Sequence, residues 1–224
     1  MNGYYDENLS AERLKAVYEL APARTKQYLE AEIEFVLRKI TGTMSVLELG
    51  CGYGRVLARL AERARVTVGV DTSIPSLRLA RLFASGARSP LLAAMDAASM
   101  GFAGRAFDLT ICIQNGISAF HVDRAALFKE AVRVTRSGGA VLFSSYAAEF
   151  WKDRLEWFET QAAHGLIGPI DREATGDGVI VCRDGFRAAT VSEEELRTLA
   201  TALGLEPHIT VVDRSSLFCE AVVP

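Results

Sequence analysis

The chain's 224 residues include 25 lysines and arginines against 28 aspartates and glutamates, a formal charge of −3, and half of the residues are apolar. This composition supplies one large core in a single enzyme-sized unit and lacks the positive excess of many nucleic-acid-binding proteins, so nucleic acid is not the expected partner. No apolar run approaches the roughly 20 residues of a bilayer span, and residues 1–7 lack the basic-then-apolar order of a signal peptide, so a cytoplasmic protein without membrane attachment is expected.

The first forty residues read as helical. Ser10 precedes Arg13 and Leu14 as the cap of a helix running to Leu20, and Pro22 suits the first turn of the next, where Leu29, Ile33, Leu37 and Ile40 recur on one face. Arg24, Tyr28 and Glu32 form a second stripe at four-residue steps, readable as a mutually supporting solvent-facing row or as an overhang above a cleft.

The run Val46-Leu47-Glu48-Leu49 then stops in Gly50-Cys51-Gly52-Tyr53-Gly54 and resumes with helical spacing at Val56, Leu57, Leu60 and Ala64. A missing Cβ permits unusual backbone angles and lets main-chain N–H groups approach a ligand, although the same glycines also make a plain sharp turn. Val66-Thr67-Val68-Gly69-Val70 ends at Asp71, so a strand-loop-helix-strand unit spans residues 45–71. A carboxylate at that strand tip grips ribose hydroxyls or caps the helix that follows Thr72 and Ser73.

Ser89-Pro90-Leu91-Leu92-Ala93-Ala94 reads as a third strand with proline at its start, leading to Met95-Asp96-Ala97. Residues 107–113 form a near-continuous apolar run, as in a buried parallel strand, with Gln114-Asn115-Gly116 at its tip. His121 either caps the helix predicted over residues 123–134 or serves as a base. Ser137-Gly138-Gly139 should stop that helix before a strand over residues 140–143. Cys51, Cys112, Cys182 and Cys219 are scattered without metal-ligand spacing, so reduced structural thiols, no metal and no disulfide are expected.

From residue 144 the composition changes. Phe150, Trp151, Trp157 and Phe158 cluster on a charged helical stretch, glycine-rich loops follow, and Asp184-Gly185 between two β-rich runs signals a hairpin. Ser192 with three glutamates behind it starts a further helix that Gly204 ends, and two final runs, 209–212 and 217–223, form a terminal hairpin.

Glu48-Leu49-Gly50-Cys51-Gly52-Tyr53-Gly54, Val70-Asp71, Met95-Asp96-Ala97, Phe107-Asp108-Leu109-Thr110 and Arg136-Ser137-Gly138-Gly139-Ala140 resemble, in order and spacing, the class I S-adenosylmethionine-dependent methyltransferases. The resemblance covers about half of the chain and implies a three-layer, Rossmann-like α/β fold. Its sheet would be mostly parallel and seven-stranded with an antiparallel edge strand, with N-terminal helices and an insert after the fifth strand. Residues 1–224 would form one domain: an N-terminal lid (1–43), a cofactor-binding core (44–146 and 191–224) and an inserted cap with a hairpin (147–190).

The resemblance also implies S-adenosylmethionine as cofactor, held by Glu48, Gly50, Cys51, Gly52, Asp71, Thr72, Asp96, Ala97 and Asn115, with Asp96 and the Ala97 N–H at the adenine. His121 and Asn115 are the candidate catalytic groups. Tyr4, Tyr5, Tyr18 and Tyr28 offer an aromatic lid, and Tyr5, Arg24, Tyr28 and Trp151 are the candidate contacts to a small-molecule methyl acceptor. The Asp-or-Asn, double-proline and aromatic signature of amino-DNA methyltransferases is absent at residues 114–117, which argues against a nucleobase amino group as acceptor. An RNA methyltransferase, an NAD-dependent oxidoreductase and a noncatalytic S-adenosylmethionine-binding regulator are the alternatives.

Overall fold

In the computed structural model, which describes residue 4, residues 8–83 and residues 88–224, nine strands form two sheets among the described residues. The larger has the order β3-β2-β1-β4-β5-β9-β8. Its members are β1 (Ser45–Leu49), β2 (Val66–Asp71), β3 (Leu91–Ala94), β4 (Phe107–Cys112), β5 (Thr135–Tyr146), β8 (Pro207–Val212) and β9 (Ser216–Val222). The first five run parallel, β9 runs antiparallel to β5, and the edge strand β8 pairs antiparallel with β9.

Side chains alternate between the two faces of the sheet, so one apolar strand feeds two cores. Val46, Leu109, Ile111, Leu142 and Phe218 pack with helix α2 (Ala23–Leu37) and helix α3 (Arg55–Ala61) on one face. Leu47, Leu49, Val141 and Phe143 pack on the other with α6 (Arg124–Val134) and α8 (Glu193–Thr201). Each fully buried Leu, Ile or Phe contributes about 1.5–3 kcal/mol. Helix α4 (Ile74–Phe83) follows β2, and a short α5 (Gly116–Ala119) follows β4. Among the described residues no helix is long and apolar enough to cross a membrane.

Two local readings change. Helix α6 ends at Val134 and the chain passes directly into β5, so residues 135–139 are strand rather than a glycine-made helix stop. The register shift between Phe107 and Leu109 absorbs the irregularity. The stripe on α2 is also not a solvent-facing row, because Tyr28 and Glu32 have no exposed surface.

Tyr28 belongs to a third core that joins α1 (Ala11–Glu19) and α2 to the insert, whose elements are α7 (Trp151–Ala163) and the hairpin β6 (Val179–Val181) and β7 (Arg187–Ala189). Trp157 Nε1 donates to the Val17 carbonyl at 3.0 Å, and Arg13 Nη2 donates to the Gly165 and Leu166 carbonyls at 2.9 and 3.0 Å. The N-terminal helices and the insert thus share one packed unit.

Glu32 ties that unit to the sheet. Its Oε2 accepts from the Gln114 N–H at 2.7 Å and the Ser144 hydroxyl at 2.9 Å, and its Oε1 accepts from the Ser216 hydroxyl at 2.5 Å. Burial pushes its carboxyl up to about 7 against the pull of these donors. Glu32→Ala leaves the Ser144 and Ser216 hydroxyls without their acceptor, while the Gln114 N–H keeps Ser144 Oγ at 2.9 Å, and should lower unfolding stability by on the order of 3 kcal/mol. Glu32→Gln should cost less than half of that, since a hydroxyl can turn to accept from the new amide. Urea denaturation of the two variants checks this, and equal losses would show that the site needs both carboxylate oxygens as acceptors and that keeping the side chain's shape does not help.

Candidate active site

The carboxyl ends of β1, β2 and β4 open onto a cavity of about 240 Å³, where ligands bind in open α/β sheets. Gly50, Gly52 and Gly54 adopt φ of +70°, +52° and +85°, backbone that side chains with a Cβ rarely take. A methyl group on Gly50 would lie 2.3 Å from the Phe120 ring, and one on Gly52 would lie 2.9 Å from Leu14 Cδ2. The glycines therefore make the turn and also admit the two apolar side chains that press on it.

Asp71 combines both roles read from the sequence. Its Oδ1 accepts from the Ser73 N–H at 2.8 Å at the start of α4, and its Oδ2 accepts from the Gly52 N–H at 2.8 Å. The carboxylate thereby clamps the glycine loop to the tip of β2 while lining the cavity with Thr72. Further along the rim, Asp96 Oδ1 accepts from the Ala98 N–H at 2.8 Å, which shapes the turn that presents Met95, Asp96 and Ala97 to the same space.

The opposite end is polar and buried. Glu48, 4% exposed, points from β1 into the cavity with its Oε2 lacking a hydrogen-bond partner. Burial raises its carboxyl to about 8, the Arg55 charge opposes that rise, and the Asp71 charge adds to it. Arg55 Nη2 donates to Gln114 Oε1 at 2.6 Å, and the guanidinium lies 4.6 Å from the centroid of the Tyr18 ring. Gln114 and Asn115 both have left-handed backbone, φ +56° and +62°, in conformations costing about 1–3 kcal/mol each. Glu32 holds the first of them through its N–H. Burial pushes the Cys51 thiol far above its ordinary range, away from thiolate chemistry.

Glu48, Gly50, Cys51, Gly52, Asp71, Thr72, Asp96 and Ala97 all line this cavity. Asn115 does not. Its amide donates to the Ala189 carbonyl at 3.0 Å and accepts from the Ser145 hydroxyl at 2.9 Å, anchoring the insert's hairpin to β5, and Gln114 takes the place facing the cavity. His121 is exposed with φ +53°, and Asp123, accepting from the Ala126 N–H at 2.7 Å, caps α6 in its stead. Arg24 is spent on Asp213 and stands over the Phe150 ring, and Tyr28 is sealed between Tyr146 and Phe150. Trp151 stands beside Arg154, outside the lining, and Tyr5 lies outside the described residues. The cover over the glycine loop comes from Leu9, Ser10, Leu14 and Tyr18, while the insert supports it from behind.

Sequence reasoning passed over Arg55, Gln114 and Phe120. Gln114 adjoins the predicted Asn115, Arg55 follows the glycine loop, and no sequence signal distinguished Gln114 from Asn115.

Residues 46–139 match the family model of a methyltransferase domain. A malonyl-(acyl-carrier protein) O-methyltransferase of Legionella pneumophila is 32% identical over 139 residues, 60% of this chain and 48% of that protein. The chain spans less than half the length of the curated relatives it matches. Among solved structures, the PH0226 protein of Pyrococcus horikoshii OT3 superposes with a TM-score of 0.67 at 21% identity, covering 93% of this chain and 95% of that one. The magnesium protoporphyrin IX methyltransferase of Synechocystis PCC 6803, with bound SAH, superposes at 0.66 with 18% identity over 99% and 97% of the two chains. Likeness at these identities is likeness of fold.

The raised carboxyls have a consequence for stability. A carboxyl whose folded value lies above its unfolded one binds more protons when folded, so its contribution is complete at low pH and is lost as pH rises through the folded value. Glu48, at about 8 against an ordinary 4.5, should make the ligand-free chain lose thermal stability between about pH 4.5 and 8. Glu48→Gln should flatten the upper part of that decline in scanning calorimetry. An unchanged slope would mean that Glu48 is ionised throughout.

Proposed function

We infer that this chain, which belongs to the class I S-adenosylmethionine-dependent methyltransferases, transfers the methyl group of that donor to a small-molecule acceptor. The observation carrying the reading is the Asp71 carboxylate fastened to the glycine loop in a cavity that Asp96 also lines, at the carboxyl end of a sheet whose antiparallel β9 sits between β5 and β8.

The residues present fit the donor. Asp71 suits a pair of ribose hydroxyls, since a charged acceptor pairs strongly with neutral donors. Asp96 and Ala97 would hold the adenine edge, with Met95 and Val122 as apolar walls. The partnerless Oε2 of Glu48 suits an ammonium group, whose arrival would also return the buried carboxyl to its ionised form.

When bound, the donor supplies a methyl group made electrophilic by its sulfonium. The chain's task is then to align the acceptor and exclude water, and alignment of reactants is worth about 7–11 kcal/mol. Leu9, Ser10, Leu14 and Tyr18 form that cover. Neither His121 nor Asn115, the candidate catalytic groups, faces the cavity. The small acceptor is supported by the cavity's size and by the formal charge of −3, which gives no general attraction to a phosphate backbone.

Calorimetry should show S-adenosylhomocysteine binding to the wild type and no binding of nicotinamide dinucleotides. Asp71→Ala should weaken S-adenosylhomocysteine by about tenfold or more, the worth of hydrogen bonds to a charged group. A dinucleotide that binds while the nucleoside thioether does not would overturn this reading.

A further inference from the structure

Apolar exposure and positive charge coincide on helix α4 and the open edge of the sheet beside it. Of the six large apolar side chains exposed among the described residues, Ile74, Leu82 and Phe83 lie on α4 and Leu91 lies on the edge strand β3. Leu82 is 75% exposed. The chain carries 28 acidic residues in 224, yet residues 72–95 contain none and include Arg78, Arg81 and Arg88, all exposed. Scattered exposed apolar residues need no explanation, but four gathered in one place on a basic background mark an interaction surface.

The arrangement along the helix narrows the partner. Ile74, Arg78 and Leu82 follow one another at four-residue steps and form one ridge, with Arg81 beside it. Apolar tips interleaved with guanidinium groups are the pattern of a helix lying in a lipid interface. Its apolar side chains enter the acyl boundary while the arginine heads stay level with the phosphates. A second copy of this chain is a poor occupant, because a two-fold contact sets Arg78 and Arg81 against the same arginines of the other copy. A folded acidic partner needs a groove shaped to the ridge, whereas a lipid surface moulds around it.

We propose that α4 docks the chain peripherally on an anionic lipid surface, with Ile74 and Leu82 entering the headgroup boundary and Arg78 and Arg81 on the lipid phosphates. No helix among the described residues is long and apolar enough to cross a membrane, so the contact lies on the surface. The formal charge of −3 gives no general attraction to such a surface, which leaves the local arginines as the cause of binding. Ser73 and Ser76, around the start of α4, line the cavity, so a docked helix holds the cavity mouth beside the lipid. The docking itself is independent of what the cavity binds.

The test is co-sedimentation of the full chain with vesicles of phosphatidylglycerol and phosphatidylcholine in equal parts, set against vesicles of phosphatidylcholine alone. The wild type should bind the mixed vesicles, leave the neutral ones, and bind less as salt is raised. Arg78→Gln and Arg81→Gln should each lower partitioning by about fivefold. Leu82→Ser, which keeps the charge, should lower it by about fivefold or more. Arg183→Gln, at an exposed arginine on the insert, is the control and should leave binding unchanged. All four positions are exposed, so the variants should melt with the wild type, and matching melting temperatures keep a loss of binding from being a loss of fold.

A wild type that ignores the mixed vesicles would overturn the proposal. Equal losses in Arg183→Gln and Arg78→Gln would overturn it too, by making the attraction a matter of overall charge. Losses in the two α4 arginine variants with none in Leu82→Ser would mean that no apolar side chain enters the lipid, and would reassign the ridge to an acidic macromolecule. S-adenosylhomocysteine binding is measured separately, so its failure would bear on the methyl-transfer reading and leave the docking result standing.

Discussion

The Glu32 carboxylate is the joint on which the site depends. It sits on a helix outside the parallel sheet, has no exposed surface, and accepts from groups at the ends of β4, β5 and β9. A carboxylate is the side chain for this place because it offers acceptor sites on both oxygens and brings no donor of its own. Its burial is costly, and the three donors around it offset that cost only while all are in place. Together with Ser144 Oγ, which accepts from the same N–H at 2.9 Å, it holds Gln114 in a left-handed turn where β4 ends, with Gln114 rather than Asn115 facing the cavity.

The same turn divides the labour between Gln114 and Asn115. Gln114 is paired to Arg55 in the cavity, while Asn115 reaches Ala189 and Ser145 and secures the insert. Ser145 in turn accepts from the Val191 N–H at 2.8 Å, where the insert returns to the core. The insert therefore acts at a distance. Its aromatic residues build a common core with α1 and α2, and it is α1 that presents Leu14 and Tyr18 to the glycine loop.

The cavity's electrostatics follow from where its carboxylates sit. Asp71 accepts from two backbone N–H groups and is partly open to solvent. Glu48 is buried with an oxygen left over, and only Arg55 lowers its carboxyl among the groups that act on it. One carboxylate is thus prepared for neutral hydroxyls, and the other for a cation.

Local pattern alone determined the alternation of strands and helices, the glycine loop, Asp71 at the tip of β2, the hairpin at Asp184-Gly185 and the antiparallel ending, because each is written in apolar spacing or turn chemistry within a few residues. The family resemblance extended this to Asp96 and Ala97 on the cavity wall. Only the tertiary structure decided the rest. The stripe on α2 read as a solvent-facing row sooner than as cover, and the packed interior buries Tyr28 and Glu32 in it. Gln114 and Asn115 look alike in sequence, and contacts 82 and 74 residues away in the chain set their directions. Arg55 carries no mark of function until Gln114 and Tyr18 stand beside it. These are properties of long-range packing, and no periodicity or spacing within one segment encodes which distant surface a side chain will meet.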